Sequence, residues 1–399
     1  TISAGVGADT IFGGSGDDTI LLGDSFGDDT ITGGETGETN GDILDFSGMT
    51  TEGVIVTVTG DEAGNITDAG GDDTLDYSGI ENMVLTDQQD VVFGGSGTTG
   101  LNVYGGGGND YLYGSDAADT FFGGVGGDVI FGGDGADSLE GGAGNDSVTS
   151  TGDNAAVYGG ADDDTVLGNE GNDRIFGGDG DDAISGGEGR DYINGETGDD
   201  EIKGDGGADR VFSENGADIV YGGDGDDYLN TGSQDDIVYG GDGNDDTRAG
   251  EGNDYVDAGN GDDYSQGFRG DDTLIMGAGA DRARGGDGVD TIDGGSGADF
   301  LYGDAGDDIL SGGADNDRLY GGSGADTFVF KSGDDDDQIF DFEVGVDTID
   351  LTDFNIDTEA PTATYADSGA HFRITFDTGD TLVLRNLNEA DLSLDDFIF

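Results

Sequence analysis

Residues 177–185 read Gly177-Gly178-Asp179-Gly180-Asp181-Asp182-Ala183-Ile184-Ser185, and the residues on both sides repeat that pattern. The phase Gly-Gly-x-Gly-x-Asp-x-apolar-x holds without insertion or deletion from Gly105 to Val329, making twenty-five blocks of nine. The sixth position is Asp in twenty-four blocks, with Ala155 the exception, and the eighth is a large apolar residue in twenty-two. A period this strict makes each block one structural unit stacked on the next. The first six residues, rich in Gly and Asp, predict a tight turn. The last three alternate outward, inward, outward and predict a minimal β-strand. Turn plus strand is half a coil, so two blocks close one turn, and stacked turns pair their strands in parallel about 4.8 Å apart. The blocks then make about twelve turns, roughly 60 Å long at that spacing. The predicted class is all-β, a parallel β-solenoid with a thin apolar core between two strand faces.

The chain carries 91 acidic against 12 basic residues, a formal charge of −79. Such a chain repels itself into an expanded coil unless something neutralises it. With 86 glycines and one proline, Pro361, many residues adopt positive φ while the backbone keeps its donors. Cys is absent and His371 is the single histidine, which excludes disulfides, thiolate sites and imidazole clusters. Oxygen ligands remain. Stacked turns bring the sixth-position carboxylates into columns, beside carbonyls freed by the glycine-rich backbone. Ca²⁺ accepts six to eight such oxygens in flexible geometry, whereas Mg²⁺ demands a strict octahedron and keeps its waters. A polyanion such as nucleic acid is repelled almost everywhere. No apolar run approaches the roughly 20 residues that span a bilayer.

The nonapeptide resembles the repeats-in-toxin (RTX) motif, densely over residues 96–329 and more loosely over 4–32. That resemblance implies a right-handed parallel β-roll whose turns bind Ca²⁺ through the sixth-position Asp and backbone carbonyls. By that resemblance the ligands are Asp110, Asp119, Asp128, Asp137, Asp146, Asp164, Asp173, Asp182, Asp191, Asp200, Asp209 and Asp218. The series continues with Asp227, Asp236, Asp245, Asp254, Asp263, Asp272, Asp281, Asp290, Asp299, Asp308, Asp317 and Asp326. Ala155 is expected to weaken one site. Filling roughly two dozen sites adds about +48 and leaves a net charge near −31, so the chain stays soluble but can compact.

Four segments are expected: N-terminal repeats at 1–32, an irregular β-solenoid spacer at 33–95, the main roll at 96–329, and a closing region at 330–399. In the spacer, 42–48 and 53–58 predict longer alternating strands. Residues 73–82 resemble a segment that recurs in bacterial RTX proteins between roll sections. Wider coils are the expectation there rather than a binding site. In the closing region, 342–351 and 379–384 predict strands of a β-rich cap. The ending Asp395-Asp396-Phe397-Ile398-Phe399 resembles the C-terminus of serralysin-type proteases and related type I secretion substrates, where it is the uncleaved export signal. No His-Glu-x-x-His is present, so the resemblance does not extend to a protease centre. No cleavable secretory signal opens the sequence. It starts at Thr1 with Ala4–Phe12 already a block, so upstream residues or a larger parent protein are expected.

Sorting seventh positions by face, every eighteenth residue, gives Arg174, Tyr192, Arg210, Tyr228, Asp246, Tyr264, Arg282, Phe300 and Arg318. The ninth-position column beside it contains Phe176, Phe212, Arg248, Arg284, Tyr302 and Tyr320. Two readings stay open: an intramolecular cation–π ladder, or a docking face for another copy or an anionic surface polysaccharide. The same face has weak core positions at Thr247, Ser265 and Ala283. Ile219, Tyr221, Ile237 and Tyr239 point outward on the opposite face, an expected site of lateral self-association. His371 is expected to be a surface or strand residue without a partner set. The expected function is a non-enzymatic, secreted, calcium-binding structural protein of a bacterial surface layer, matrix or filament. It would be exported by type I machinery and fold outside the cell. The alternatives are the C-terminal secretion and folding module of an exoenzyme, and a polysaccharide-binding adhesin.

Overall fold

The computed structural model describes all residues other than 35–40, 61–62, 71–73, 79, 96–98, 153, 355–362, 368–370, 388–391 and 399. Two compact units divide the chain, Thr1–Ile202 and Lys203–Phe399. Each is a parallel β-solenoid in which successive strands alternate between two sheets.

In the first unit one sheet stacks Asn102–Gly107, Thr120–Val125, Ser138–Ala143, Ala156–Ala161, Arg174–Asp179 and Tyr192–Thr197 in parallel. Tyr111–Tyr113, Val129–Phe131, Ser147–Thr149, Thr165–Glu170 and Ala183–Glu188 stack in the other. The register advances eighteen residues per rung, as in Val157 opposite Ile175, so the two-block coil is observed. The second unit repeats the plan with Tyr228–Ser233, Asp246–Glu251, Tyr264–Arg269 and Arg282–Asp287 in one sheet. Ile219–Asp224, Ile237–Asp242, Tyr255–Asn260 and Thr273–Ile275 form the other.

Many strands are six residues long rather than three. Arg174–Asp179 holds positions seven to nine and then Gly-Gly-x of the next block, with Ile175 and Gly177 buried in alternation. Glycine's low strand propensity is overridden because the first position has no room for a side chain. The second, Gly178, sits at φ +127° and still pairs with Glu196 in the next rung. The core is a single file of apolar side chains from each face, among them Leu112, Phe121, Ile184, Leu229, Leu319 and Phe328, all buried.

The spacer departs from the expected wider coils. Val54–Gly60, Ala63–Asp68 and Thr74–Ser78 form an antiparallel meander between Asp29–Thr32 and Val91–Phe93. Without Gly-Gly at nine-residue spacing the chain has no coil corner, and the alternating Val54, Val56 and Ile66 pack inward as longer strands. Asp73, Gly79 and Phe399 lie outside the described residues.

Only Thr348–Asp350 of the predicted 342–351 strand is extended. The preceding residues turn, with the Val346 N–H donating to the Glu343 carbonyl at 3.0 Å and the Glu343 N–H to Asp347 Oδ2 at 2.7 Å. Thr381–Arg385 is a strand as expected, joined in parallel to Asp336–Ile339 and antiparallel to His371–Phe376. Phe397–Ile398 adds a short parallel rung on Ile349 and Asp350. His371 is partnered: Arg385 Nη1 lies 3.2 Å from its Nε2, and the Asn386 N–H donates to its Nδ1.

Candidate calcium sites and the outer faces

Each sixth-position Asp sits where turn becomes strand, and all twenty-four are buried. One carboxylate oxygen is used by the fold. Oδ1 accepts the backbone N–H of the sixth-position residue one coil earlier, as from Asp164 to Asp182 at 2.8 Å and from Asp236 to Asp254 at 2.9 Å. Oδ2 is buried without a hydrogen-bond donor at Asp110, Asp128, Asp137, Asp146, Asp164 and Asp182, and at every sixth-position Asp from Asp227 to Asp317. An unpaired buried carboxylate oxygen is strongly unfavourable, so a cation belongs beside it.

The glycine of the first position shows where. A Cβ on Gly177 would stand 2.3 Å from Asp182 Oδ2 and 2.8 Å from Gly195 O, one coil later. On Gly240 it would stand 2.6 Å from Asp245 Oδ2 and 2.3 Å from Ala258 O. A carboxylate oxygen and a carbonyl oxygen thus converge where a side chain is missing. No group of three carboxylate or imidazole side chains able to hold an ion occurs among the described residues, so backbone carbonyls would have to complete each shell. This all-oxygen, coil-spanning donor set fits Ca²⁺.

The electrostatics agree. Burial pushes Asp110 and Asp236 up to about 8, against the opposing backbone hydrogen bonds and helped by neighbouring column carboxylates. Asp146, Asp164, Asp227, Asp254 and Asp263 are pushed to about 7, again chiefly by burial. Asp182, Asp245, Asp272 and Asp308 are pushed to about 6 by the same cause, so without metal every one of these carboxylates is harder to ionise than an exposed one.

Three positions depart from the pattern. The Ser115 N–H donates to Asp119 Oδ2 at 2.7 Å and its hydroxyl reaches both oxygens, so this carboxylate is satisfied internally. Thr86 treats Asp90 the same way. Ala155 has no carboxylate for the Asp137 amide, although its own N–H still donates to Asp173 Oδ1. The column also runs beyond the strict repeat. Asp90 Oδ1 accepts the Val54 N–H, and Asp337 and Asp347 accept the amides of Asp317 and Asp326. The signal that finds them is Asp-x-apolar at the start of a strand: Asp90-Val91-Val92, Asp337-Gln338-Ile339 and Asp347-Thr348-Ile349.

A second ladder runs through the exposed fifth position in the opposite sense. Asp181 Oδ1 accepts the Asp199 N–H, Asn244 Oδ1 the Asp262 N–H, and Asp262 Oδ1 the Ala280 N–H, each at 2.8–2.9 Å. These bonds need no ion.

The model of the RTX calcium-binding nonapeptide repeat matches residues 1–25, 102–130, 122–154, 158–193, 185–220, 212–247, 239–274, 266–301 and 302–337. The chain belongs to this RTX family. Calcium is its cofactor, and in this RTX chain the buried Oδ2 atoms with the neighbouring carbonyls would hold it. Bound Ca²⁺ supplies the positive charge that lets the carboxylates ionise side by side. Among solved structures, the AlgE6R3 subunit from the Azotobacter vinelandii mannuronan C5-epimerase is similar at 22% identity. The match covers 45% of this RTX chain and 80% of that one, with a TM-score of 0.20. No curated protein matches. Among the described residues no helix is long and apolar enough to cross a membrane.

On the outer face of the RTX coils the Arg and aromatic columns meet as a ladder. Arg174 lies 5.0 Å from the Phe176 ring and 5.1 Å from Tyr192. In the second unit Arg210 sits 5.1 Å from Tyr228, Arg282 5.9 Å from Tyr264, and Arg318 4.7 Å from Phe300. Asp246, which interrupts the column, pairs with Arg248 at 3.2 Å, and Arg248 in turn covers Tyr228. On the other face Tyr221 and Tyr239 stack at 5.1 Å, and Ile237 and Tyr239 are exposed.

Proposed function

We propose that this chain is a non-enzymatic, extracellular calcium-binding structural protein of a bacterial surface layer, matrix or filament. In this reading it leaves the cell unfolded through type I export and folds where Ca²⁺ is abundant. One observation carries the proposal: from Asp227 to Asp317, coil after coil, a buried Oδ2 has no donor. At neutral pH such a stack opposes its own folding until ions enter, so metal binding becomes folding free energy. Extracellular-class sites fill at about 10⁻⁴–10⁻³ M Ca²⁺ and stay empty at cytosolic levels. The structural role is supported by repeats that occupy most of the chain and by outer faces patterned with rings and guanidinium groups. The export route is supported by the resemblance of residues 395–399 to type I substrates.

The test is circular dichroism and small-angle scattering at neutral pH, in chelator and then in millimolar Ca²⁺. An expanded, strand-poor chain that becomes compact and strand-rich on adding Ca²⁺ is expected. A compact, strand-rich chain in excess chelator would contradict the proposal.

A further inference from the structure

In the second unit, one outward column of the sheet that holds Ile219–Asp224 and Ile237–Asp242 reads Lys203, Tyr221, Tyr239, Asp257, one residue every eighteen. The order is reciprocal about its midpoint, with a cation at one end, a carboxylate at the other and two identical rings between. Tyr221 and Tyr239 are register partners, and their rings stack at 5.1 Å. Asp257 follows opposite Tyr239 on the next rung, and the Lys203 ammonium stands 5.7 Å from the Tyr221 ring. Ile219 and Ile237 lie beside the rings in the same register. Ile237 and Tyr239 are each 37% exposed, so the middle of the column is open to a partner.

The four outward residues between those ends, Ile219, Tyr221, Ile237 and Tyr239, carry no charge on a chain of formal charge −79. The exposed acids of these blocks, Asp224, Asp226 and Asp242, fall in the glycine-rich stretches that lead out of the strands. With Lys203 matched by Asp257, the patch offers a polyanion no net positive charge. A second copy is different, because what it presents here is the same near-neutral patch, while its excess charge stays at the coil edges. A two-fold axis along the strands, midway between the Tyr221 and Tyr239 rungs, lays column on column in opposite sense. Tyr221 then meets Tyr239 of the second copy, Ile219 meets its Ile237, and a Lys203–Asp257 pair forms at each end, as a self-complementary contact requires. A slip of one rung puts Lys203 on a ring and loses both pairs.

We propose that this face pairs two copies of the chain antiparallel, with Lys203 of each on Asp257 of the other and the Ile219, Tyr221, Ile237 and Tyr239 patches in contact. Four rungs span roughly 14 Å, so the contact is a weak, reversible one rather than a permanent dimer. The proposal deepens the structural reading above and rests on its calcium-folded state.

The experiment is sedimentation equilibrium of the full chain in saturating Ca²⁺ and about 0.15 M salt, which screens the coil-edge charges beyond about 8 Å. A monomer–dimer equilibrium is expected, with a dissociation constant on the order of 10⁻⁴ M. Asp257→Lys and Lys203→Asp should each weaken it about tenfold, because two exposed pairs turn repulsive in every dimer. Asp257→Lys is the sharper of the two. It lowers the chain's negative charge, so general repulsion alone predicts tighter association. Combining Lys203→Asp with Asp257→Lys exchanges the two ends and should return the affinity to within about twofold of the parent. That recovery, with a circular dichroism spectrum like the parent's, also shows that neither substitution unfolds the coil. A monomer at every concentration up to about 1 mM would overturn the proposal. So would unchanged or tighter association of Asp257→Lys, or a double variant no better than the singles. Circular dichroism of the parent in chelator reads the calcium-dependent fold separately, and a chain that folds on Ca²⁺ yet stays monomeric sinks only this pairing.

Discussion

In residues 42–93 the buried carboxylate of Asp90 is answered by the protein itself, with the Thr86 N–H and hydroxyl on Oδ2 and the Val54 N–H on Oδ1. In residues 219–329 the equivalent carboxylates receive one backbone amide each, and through Asp317 the second oxygen is left bare. The first region closes its sheet with an antiparallel meander whose buried Val54, Val56, Ile66 and Leu75 make an ordinary apolar contact. The second has only one apolar file per face and glycine at most corners. One solenoid edge can therefore be built with a hydroxyl or with an ion, and these repeats are written for the ion.

Chelation at neutral pH is expected to have the largest effect. Hydrogen exchange should show protection of 219–329 lost completely, while the hydrogen-bonded amides of 54–68 keep more of theirs. Equal loss in both regions would erase the comparison. Proton concentration comes next. The column carboxylates have folded-state values raised above the ordinary 3.8, to about 8 for Asp236, 7 for Asp254 and 6 for Asp308. A raised value favours folding below the ordinary value, and that contribution is lost as pH rises through 6–8. In chelator, lowering the pH from about 8 to about 4 should thus restore compactness, followed by scattering. In Ca²⁺ the same acidification should release ions, because ligands must be deprotonated to hold them.

Single sites sharpen the contrast further. Asp254→Asn should remove one Ca²⁺ from the stoichiometry and lower calcium-loaded stability by about 2 kcal/mol, the scale of one charged hydrogen-bonding partner. Asp119→Asn should leave the stoichiometry unchanged, since Ser115 already occupies its second oxygen. Equilibrium dialysis with denaturant melts checks both. The smallest effect is expected on the outer face, where Arg210→Ser should cost about 0.5–1 kcal/mol by the same melts.

Much of this was legible in the sequence for a physical reason: an eighteen-residue coil admits no slip, so the phase of Asp182 and Ile184 sets both column and core. What escaped the reading depended on neighbours rather than on phase. Gly177 and Gly178 read as turn residues, yet the ladder draws them into the strand. Asp119 reads like every other sixth-position ligand, yet the Ser115 amide and hydroxyl satisfy it. Asp337 and Asp347 lie outside the repeat, so only the tripeptide they begin reveals their place. Val54 and Val56 alternate as expected of a strand, but nothing in that alternation states that it pairs antiparallel with Ala63–Asp68.

The central claim is that the bare Oδ2 atoms are calcium ligands. Anomalous diffraction from crystals of the calcium-loaded chain tests it most directly. The expected result is a line of Ca²⁺ peaks along each coil edge, each about 2.3–2.6 Å from an Oδ2 between Asp227 and Asp317 and from a first-position carbonyl. Ion peaks confined to surface carboxylates such as Asp226 or Asp262, with those Oδ2 atoms bare or on water, would contradict it.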